Sequence, residues 1–159
     1  MGWALVFEKL RRFVWAEPES RGRPVVALAL LGAHAETDPL ERACARAGLP
    51  LRVAGSFEEA MEILQRENVP VAFYDLSRRD RPWQDAVATL SAQGGRPSIV
   101  VLSDRLNQAL RDQMIRNGGY ELLRTTPEDG AGLECAVRRG WMFWRNHKAL
   151  RDTLAEVTK

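Results

Sequence analysis

The sequence predicts one α/β domain built on a doubly wound sheet of five parallel strands. Short apolar runs alternate five times with segments of helical periodicity, beginning at Pro24. The connections between them are short, so the helices must act as crossovers between parallel strands. With 159 residues, the chain can form one domain with a full core.

Each candidate strand is a short apolar run that ends in turn residues. In chain order, the five candidate strands read VVALALLG, LPLRVAG, VPVAFYDL, RPSIVVLSD and YELLRTTP. The first is a continuous apolar run of the kind found in strands covered on both faces. The predicted strand order is 2-1-3-4-5, as in flavodoxin-like sheets.

The candidate helices carry recognisable start and stop signals. Asp38 is predicted to be an N-cap, with Pro39 at the first helical position. Ser56 and Glu59 form a capping box. The four intermediate helices read DPLERACARAG, SFEEAMEILQREN, RPWQDAVATLSAQGG and LNQALRDQMIRNGG, and a long helix from EDGAGLECAVRRG onward ends the chain.

The chain divides into a central domain and two terminal helical segments. We expect an amphipathic helix in 1–17, a linker in 18–23, the domain in 24–146 and a helical extension in 147–159. In the last helix, one apolar stripe is expected to pack on the sheet: Leu133, Val137, Trp141 and Trp144.

The terminal helices also present large apolar residues that a core of this size does not need. These candidate interaction residues are Trp3, Phe7, Phe13, Trp15, Phe143, Leu150 and Leu154. Contiguous exposed apolar patches are unusual on monomers. The terminal helices are therefore expected to pack on each other or on the domain, or to form a homodimer or protein-partner interface. Contact of the first helix with a membrane surface ranks last.

Composition excludes several classes of protein. The net charge of +2 does not indicate a nucleic-acid partner. No apolar run is long enough to span a bilayer, and the N-terminus lacks the layout of a secretory signal, so a cytoplasmic location is expected. Cys44 and Cys135 lack metal-ligand spacing and are expected to be buried thiols.

Candidate site residues lie where the predicted strands end. In open parallel sheets, ligands bind beyond the carboxyl ends of the strands. Asp75 ends the third strand, Ser103 ends the fourth, and Thr126 and Pro127 end the fifth. A charge at the end of a buried strand is costly unless something pairs with it.

This ordered set of strand ends resembles the receiver domain of bacterial two-component response regulators. The resemblance covers roughly residues 24–146. It implies a phosphoacceptor role for Asp75, with Ser103, Thr126 and Pro127 at supporting switch positions. It also implies signal transduction through phosphorelay and protein contact.

The sequence departs from the receiver pattern at two places. Receivers carry two adjacent acids after the first strand to hold Mg²⁺, whereas this chain has Leu31, Gly32 and Ala33. Receivers place lysine before the proline, whereas this chain has Thr126. Phosphoryl transfer to a carboxylate needs a hard cation and a positioned ammonium. No cofactor is therefore expected.

These departures predict a degenerate, non-enzymatic receiver that signals through protein contact, with phosphorylation weakened or lost. Arg78, Arg79 and Arg124 are candidate charge partners that replace the cation beside Asp75. Two alternatives stay open: a receiver phosphorylated at Asp75, and a small α/β enzyme or ligand-binding domain. The last has no Gly-rich phosphate loop after the first strand and no identifiable nucleophile–base pair.

Overall fold

The computed structural model describes residues 23–125 and 130–158. The five strands are β1 (Ala27–Leu30), β2 (Leu51–Val53), β3 (Val71–Asp75), β4 (Ser98–Ser103) and β5 (Glu121–Arg124). The five helices are α1 (Asp38–Arg46), α2 (Phe57–Arg66), α3 (Trp83–Ser91), α4 (Gln108–Arg116) and α5 (Gly130–Val157).

The strands form one sheet in the order β2-β1-β3-β4-β5, and every pair is parallel. The predicted fold class and strand order are therefore confirmed. The predicted amphipathic helix in 1–17 lies outside the described residues, as does most of the linker in 18–23.

Helices cover both faces of the sheet, and successive residues of the central strands point to alternate faces. Val71, Phe73, Val100 and Leu102 pack toward α1 and α5, in a core that includes Leu133. The opposite face packs toward α2, α3 and α4, and its strand residues include Leu28, Leu30, Ala72, Tyr74, Ile99 and Val101. This double cover explains why β3 and β4 are buried along their whole length.

The helix starts agree only partly with the sequence prediction. Ser56 caps α2, since its Oγ accepts a hydrogen bond from the Glu59 backbone N–H at 3.1 Å. The Glu59 carboxylate reaches back to the Gly55 N–H at 2.8 Å. The prediction for α1 was wrong by one residue, because the cap is Thr37 and Asp38 is already helical.

α5 runs back across the sheet and is fixed near the point where β3 and β4 begin. Gly140 lies against Val71 and Ser98, where an added Cβ would come within 3.1 Å of the valine. Ser98 Oγ donates a hydrogen bond to the Gly140 carbonyl at 2.8 Å. Trp144 donates its indole N–H to the Gly95 carbonyl at 2.7 Å. The predicted stripe on the sheet is present, with Trp141 half-buried and Leu133, Val137 and Trp144 buried.

Among the described residues, no helix is both long and apolar enough to cross a membrane.

The two cysteines differ in environment, so the expectation of two buried thiols was wrong for one of them. Cys44 is buried between α1 and the sheet, whereas Cys135 is exposed on α5. Burial raises the pKa of the Cys44 thiol to about 12. Because the thiolate is the reactive form, Cys44 is protected both by access and by its protonation state.

We therefore predict that one thiol of the native protein reacts with iodoacetamide at neutral pH. Mass spectrometry is expected to find the label on Cys135, with Cys44 modified only after unfolding. In Cys135→Ser, the native protein is expected to take up no label on the same timescale. Equal labelling rates for both cysteines in the native wild type would contradict the packing of α1 described here.

Candidate functional site

Asp75 is the last residue of β3, at the centre of the sheet. It pairs in register with Leu102 of β4, and Leu76 continues the ladder by donating its N–H to the Leu102 carbonyl at 2.9 Å. Only 1% of Asp75 is exposed to solvent. A carboxylate at this depth needs polar partners, since an uncompensated buried charge is strongly unfavourable.

Two backbone amides supply those partners, one to each carboxylate oxygen. Gly32, just after β1, donates its N–H to Asp75 Oδ2 at 3.0 Å. Ser77 donates its N–H to Asp75 Oδ1 at 2.9 Å. The second contact forms an Asx turn, in which an aspartate binds the amide two residues later. Asp75 thus links the end of β1 to the loop that follows β3.

Gly32 occupies the position whose side chain would face Asp75. A Cβ added there would lie 3.2 Å from Asp75 Oδ2 and 2.0 Å from Ser77 Oγ. The serine side chain therefore fills the space that a residue larger than glycine would need. Gly32 thus binds Asp75 through its amide, and Ser77 occupies the space where a side chain at position 32 would lie.

The expected arginine ion pair with Asp75 is not formed in the part of the chain that the structure describes. Arg78 donates from Nη1 to the Leu31 carbonyl at 3.0 Å and from Nη2 to Asp80 Oδ2 at 3.2 Å. Its guanidinium therefore binds the end of β1 and the neighbouring loop carboxylate. The backbone amides of Gly32 and Ser77 already occupy one oxygen each of Asp75.

The other two candidate arginines are exposed at the surface. Arg79 is exposed on the loop after β3. Arg124 is exposed at the end of β5 and pairs in register with Ser103, so β4 separates it from Asp75. No salt bridge joins either residue to Asp75 among the described residues.

Charges in the loop after β3 affect two neighbouring groups. The hydrogen bond from Arg78 lowers the pKa of the Asp80 carboxyl, and the positive charges of Arg78 and Arg81 act in the same direction. Burial raises the pKa of the Tyr74 hydroxyl, and the charge of Asp80 adds to the rise. The Tyr74 hydroxyl is buried without a hydrogen-bond partner in the structure.

Ser103 is buried at the end of β4, one residue beyond the register partner of Asp75. Its Oγ accepts a hydrogen bond from the Arg105 backbone N–H at 3.1 Å. Its carbonyl accepts from the Thr125 N–H at 3.0 Å. These contacts are those of a turn-forming serine. Thr126 and Pro127 lie outside the described residues.

A cleft of about 500 Å³ opens beside Asp75, at the ends of β1, β2 and β3. Small and apolar residues make up much of its wall, and Ser77, Arg78, Arg79 and Asp80 form its charged and polar side. Asp75 itself lies beneath this surface. The cleft marks the switch point of the sheet, where ligands bind in this class of fold.

The residues present do not fit a Mg²⁺ site of the receiver type. Within 23–125 and 130–158, no group of three His, Cys, Asp or Glu residues is placed to hold a metal ion. Mg²⁺ prefers oxygen ligands, usually including one or two carboxylates. Around Asp75, the structure offers an amide N–H from Gly32 where a second carboxylate would be needed.

Sequence reasoning found Asp75 and missed Ser77. The signal was present, because Asp followed two residues later by Ser is a common Asx-turn pattern. The neighbouring charged run of residues 78–81 also favours side-chain ion pairs, and a local pattern does not decide between these and the Asx turn.

Comparison with family models finds no match, and comparison with curated protein sequences finds no significant match. Solved structures, by contrast, match with high probability. A response regulator from Thermotoga maritima has a TM-score of 0.61 at 15% identity, covering 73% of this chain and 98% of that one. The chemotaxis response regulator CheY4 of Vibrio cholerae has a TM-score of 0.62 at 17% identity, covering 74% and 98%.

A third match is the signal receiver domain of a putative Luxo repressor protein from Vibrio parahaemolyticus. It has a TM-score of 0.66 at 13% identity, covering 80% of this chain and 97% of that one. At these identities the likeness shows the fold. The chain has the receiver fold, with a last helix that continues beyond the sheet.

We predict that Asp75 contributes to the stability of the fold. Asp75→Ala leaves the Gly32 and Ser77 amides without their acceptor, which is expected to lower the free energy of unfolding by about 2 kcal/mol. Asp75→Asn is expected to cost less, because its carbonyl oxygen still accepts from one amide. Urea unfolding followed by circular dichroism measures both.

Asp104→Ala is the matched control, since Asp104 is an exposed carboxylate just after β4. Its effect is expected to stay within about 0.5 kcal/mol. If Asp75→Ala changed the free energy of unfolding as little as Asp104→Ala does, the two amide hydrogen bonds would not stabilise the fold.

Proposed function

We propose that this protein is an atypical receiver-like signalling domain that acts through protein–protein contact, with phosphorylation weakened or lost. One observation carries the proposal. Each oxygen of Asp75, which the resemblance would make the phosphoacceptor, accepts a backbone N–H, and the residue facing it is glycine.

The chemistry of acyl-phosphate formation explains why this arrangement disfavours phosphorylation. The transferred group is highly anionic, so it needs a cation and further positive charge at the point of attack. Around Asp75, the positive guanidinium of Arg78 is committed to Leu31 and Asp80. Whichever oxygen of Asp75 attacks also accepts a hydrogen bond from a backbone amide, which makes it a weaker nucleophile.

A receiver phosphorylated at Asp75 is the second candidate. The position of Asp75 at the carboxyl end of the central strand favours it, together with the buried Ser103 at the end of the neighbouring strand. Ser103, Thr126 and Pro127 would then act as switch positions. A small enzyme or ligand-binding domain ranks third, and only the cleft beside Asp75 supports it.

Partner binding is assigned to the terminal segments. Phe143, Leu150 and Leu154 are exposed apolar residues on α5. Trp3, Phe7, Phe13 and Trp15 belong to the segment outside the described residues. We propose a protein partner or a homodimer as the occupant of this surface, in a cytoplasmic setting and without a nucleic-acid ligand.

Uptake of a phosphate mimic tests the proposal. We predict that adding Mg²⁺ with beryllofluoride leaves the amide NMR signals of residues around Asp75 unshifted, and that acetyl phosphate adds no mass to the protein. A mass increase that Asp75→Asn abolishes would establish the phosphorylated receiver instead.

A gain-of-function variant provides the positive control for this test. Gly32→Asp restores a carboxylate facing Asp75, and adding Ser77→Gly removes the side chain that blocks it. The double variant is expected to show Mg²⁺-dependent shifts at the ends of β1 and β3. If Mg²⁺ causes no shifts in the double variant, glycine at position 32 is not the reason that a metal site is lacking.

A further inference from the structure

The second half of α5 extends beyond the domain. Gly140 lies beside the first residues of β3 and β4, and Trp144 contacts the loop before β4. Residues 145–157 therefore run past the edge of the sheet, over about 20 Å of helix. An isolated helix this short is only marginally stable in water.

Among the described residues, this overhang presents a largely exposed apolar stripe. Leu150 is 56% exposed, Leu154 is 55% exposed and Val157 is 77% exposed. Phe143 begins the stripe at the domain surface, where its ring centroid lies 4.9 Å from that of Tyr120 and 4.2 Å from that of His147. We call this set the C-terminal stripe: Phe143, His147, Leu150, Leu154 and Val157.

The spacing within the C-terminal stripe is four, three, four and three residues. That is the a/d pattern of a heptad, which holds one seam toward a partner helix with the same period. Phe143, Leu150 and Val157 fall at d positions, and His147 and Leu154 fall at a positions. The charged residues Lys148, Asp152 and Glu156 fall at the outer positions.

We propose that a second copy of this chain covers the C-terminal stripe, forming a parallel two-helix coiled coil. The flanking e and g positions of the overhang are Asn146, Arg151, Thr153 and Thr158. In a parallel in-register pair, Arg151 meets Asn146 of the second copy, and the two threonines meet each other, so like charges are not brought together across the seam. A polar residue at an a position, here His147, fixes such a register.

The overhang also suits a two-fold pair for a spatial reason. Two copies pair where their helices extend beyond the domains, and Trp144 is the last buried residue of α5. Two described side-chain contacts of the overhang lie within α5: Thr153 Oγ1 donates to the Ala149 carbonyl at 2.9 Å, and Lys148 lies over the Trp144 ring at 5.3 Å. Leu150, Leu154 and Val157 stay more than half exposed.

This inference rests on the proposed role in protein contact, but the two can fail separately. The state of Asp75 is tested by Mg²⁺ and phosphodonor, whereas the coiled coil is tested by molar mass. Either result can be obtained without the other.

Analytical ultracentrifugation of the full chain tests the pairing. The wild type is expected to sediment with twice the chain mass. The double variant Leu150→Glu/Leu154→Glu places charges in the seam between the two helices. It is expected to raise the dimer dissociation constant by more than about tenfold. The control Met142→Glu changes an apolar residue that is equally exposed, at 57%, but lies outside the stripe, and should remain dimeric.

Crosslinking tests the parallel orientation. In a Cys135→Ser background, Leu150→Cys is expected to form a disulfide between copies on mild oxidation, because equivalent d positions adjoin in a parallel pair. Met142→Cys in the same background is expected not to. Protection of Cys44 from alkylation reports that each variant is folded.

Several outcomes overturn the proposal. A monomeric wild type contradicts it. If that monomer becomes dimeric when residues 1–17 are removed, this segment covers the C-terminal stripe in the wild type. A dimer that survives Leu150→Glu/Leu154→Glu places the interface elsewhere. Loss of the dimer in that variant without a Leu150→Cys crosslink excludes the parallel arrangement.

Discussion

The buried carboxylate of Asp75 is the constraint around which the site is organised. The parallel sheet places this residue at the end of its central strand, beneath the surface, where a charge must be compensated. Gly32 and Ser77 compensate it with backbone amides at 3.0 and 2.9 Å. These hydrogen bonds connect the loops after β1 and β3. Arg78 adds a further connection by donating a hydrogen bond to the Leu31 carbonyl. We propose that Asp75 links these two loops and does not accept a phosphoryl group.

The hydrogen bonds to Asp75 also account for the identities of Gly32 and Ser77. Glycine is tolerated after β1 because Ser77 fills the space beside it, and Ser77 occupies that space because its own amide binds Asp75. Each feature depends on the other, so restoring a metal site requires changing both residues. The domain keeps the receiver fold, and most of its exposed large apolar residues lie on α5, with others at Val53, Leu106 and Ile115. The proposed role in protein contact rests on the exposed residues of α5.

The sequence predicted the fold well because alternation of strands and helices is a local signal, repeated five times and read without knowledge of contacts. It placed Asp75 correctly for the same reason. It failed where a side chain had a choice of partners: proximity in sequence favoured an ion pair between Arg78 and Asp75, but backbone amides from β1 and the Asx turn bind the carboxylate instead. It also failed for Cys135, because the usual burial of cysteine was assumed although this residue lies off the stripe of Leu133 and Val137. Contacts between residues 43 apart, such as Gly32 with Asp75, have no local signature.

The hydrogen bonds to Asp75 can be observed directly by NMR, through scalar coupling between an amide nitrogen and the acceptor carbon. In a protein labelled with ¹⁵N and ¹³C, the Asp75 side-chain carboxyl carbon is expected to couple to the amide nitrogens of Gly32 and Ser77, and both couplings should persist when Mg²⁺ is added. Absence of both couplings, with Mg²⁺-dependent shifts of the Asp75 carboxyl carbon, would contradict the account and restore Asp75 as a metal-binding acceptor.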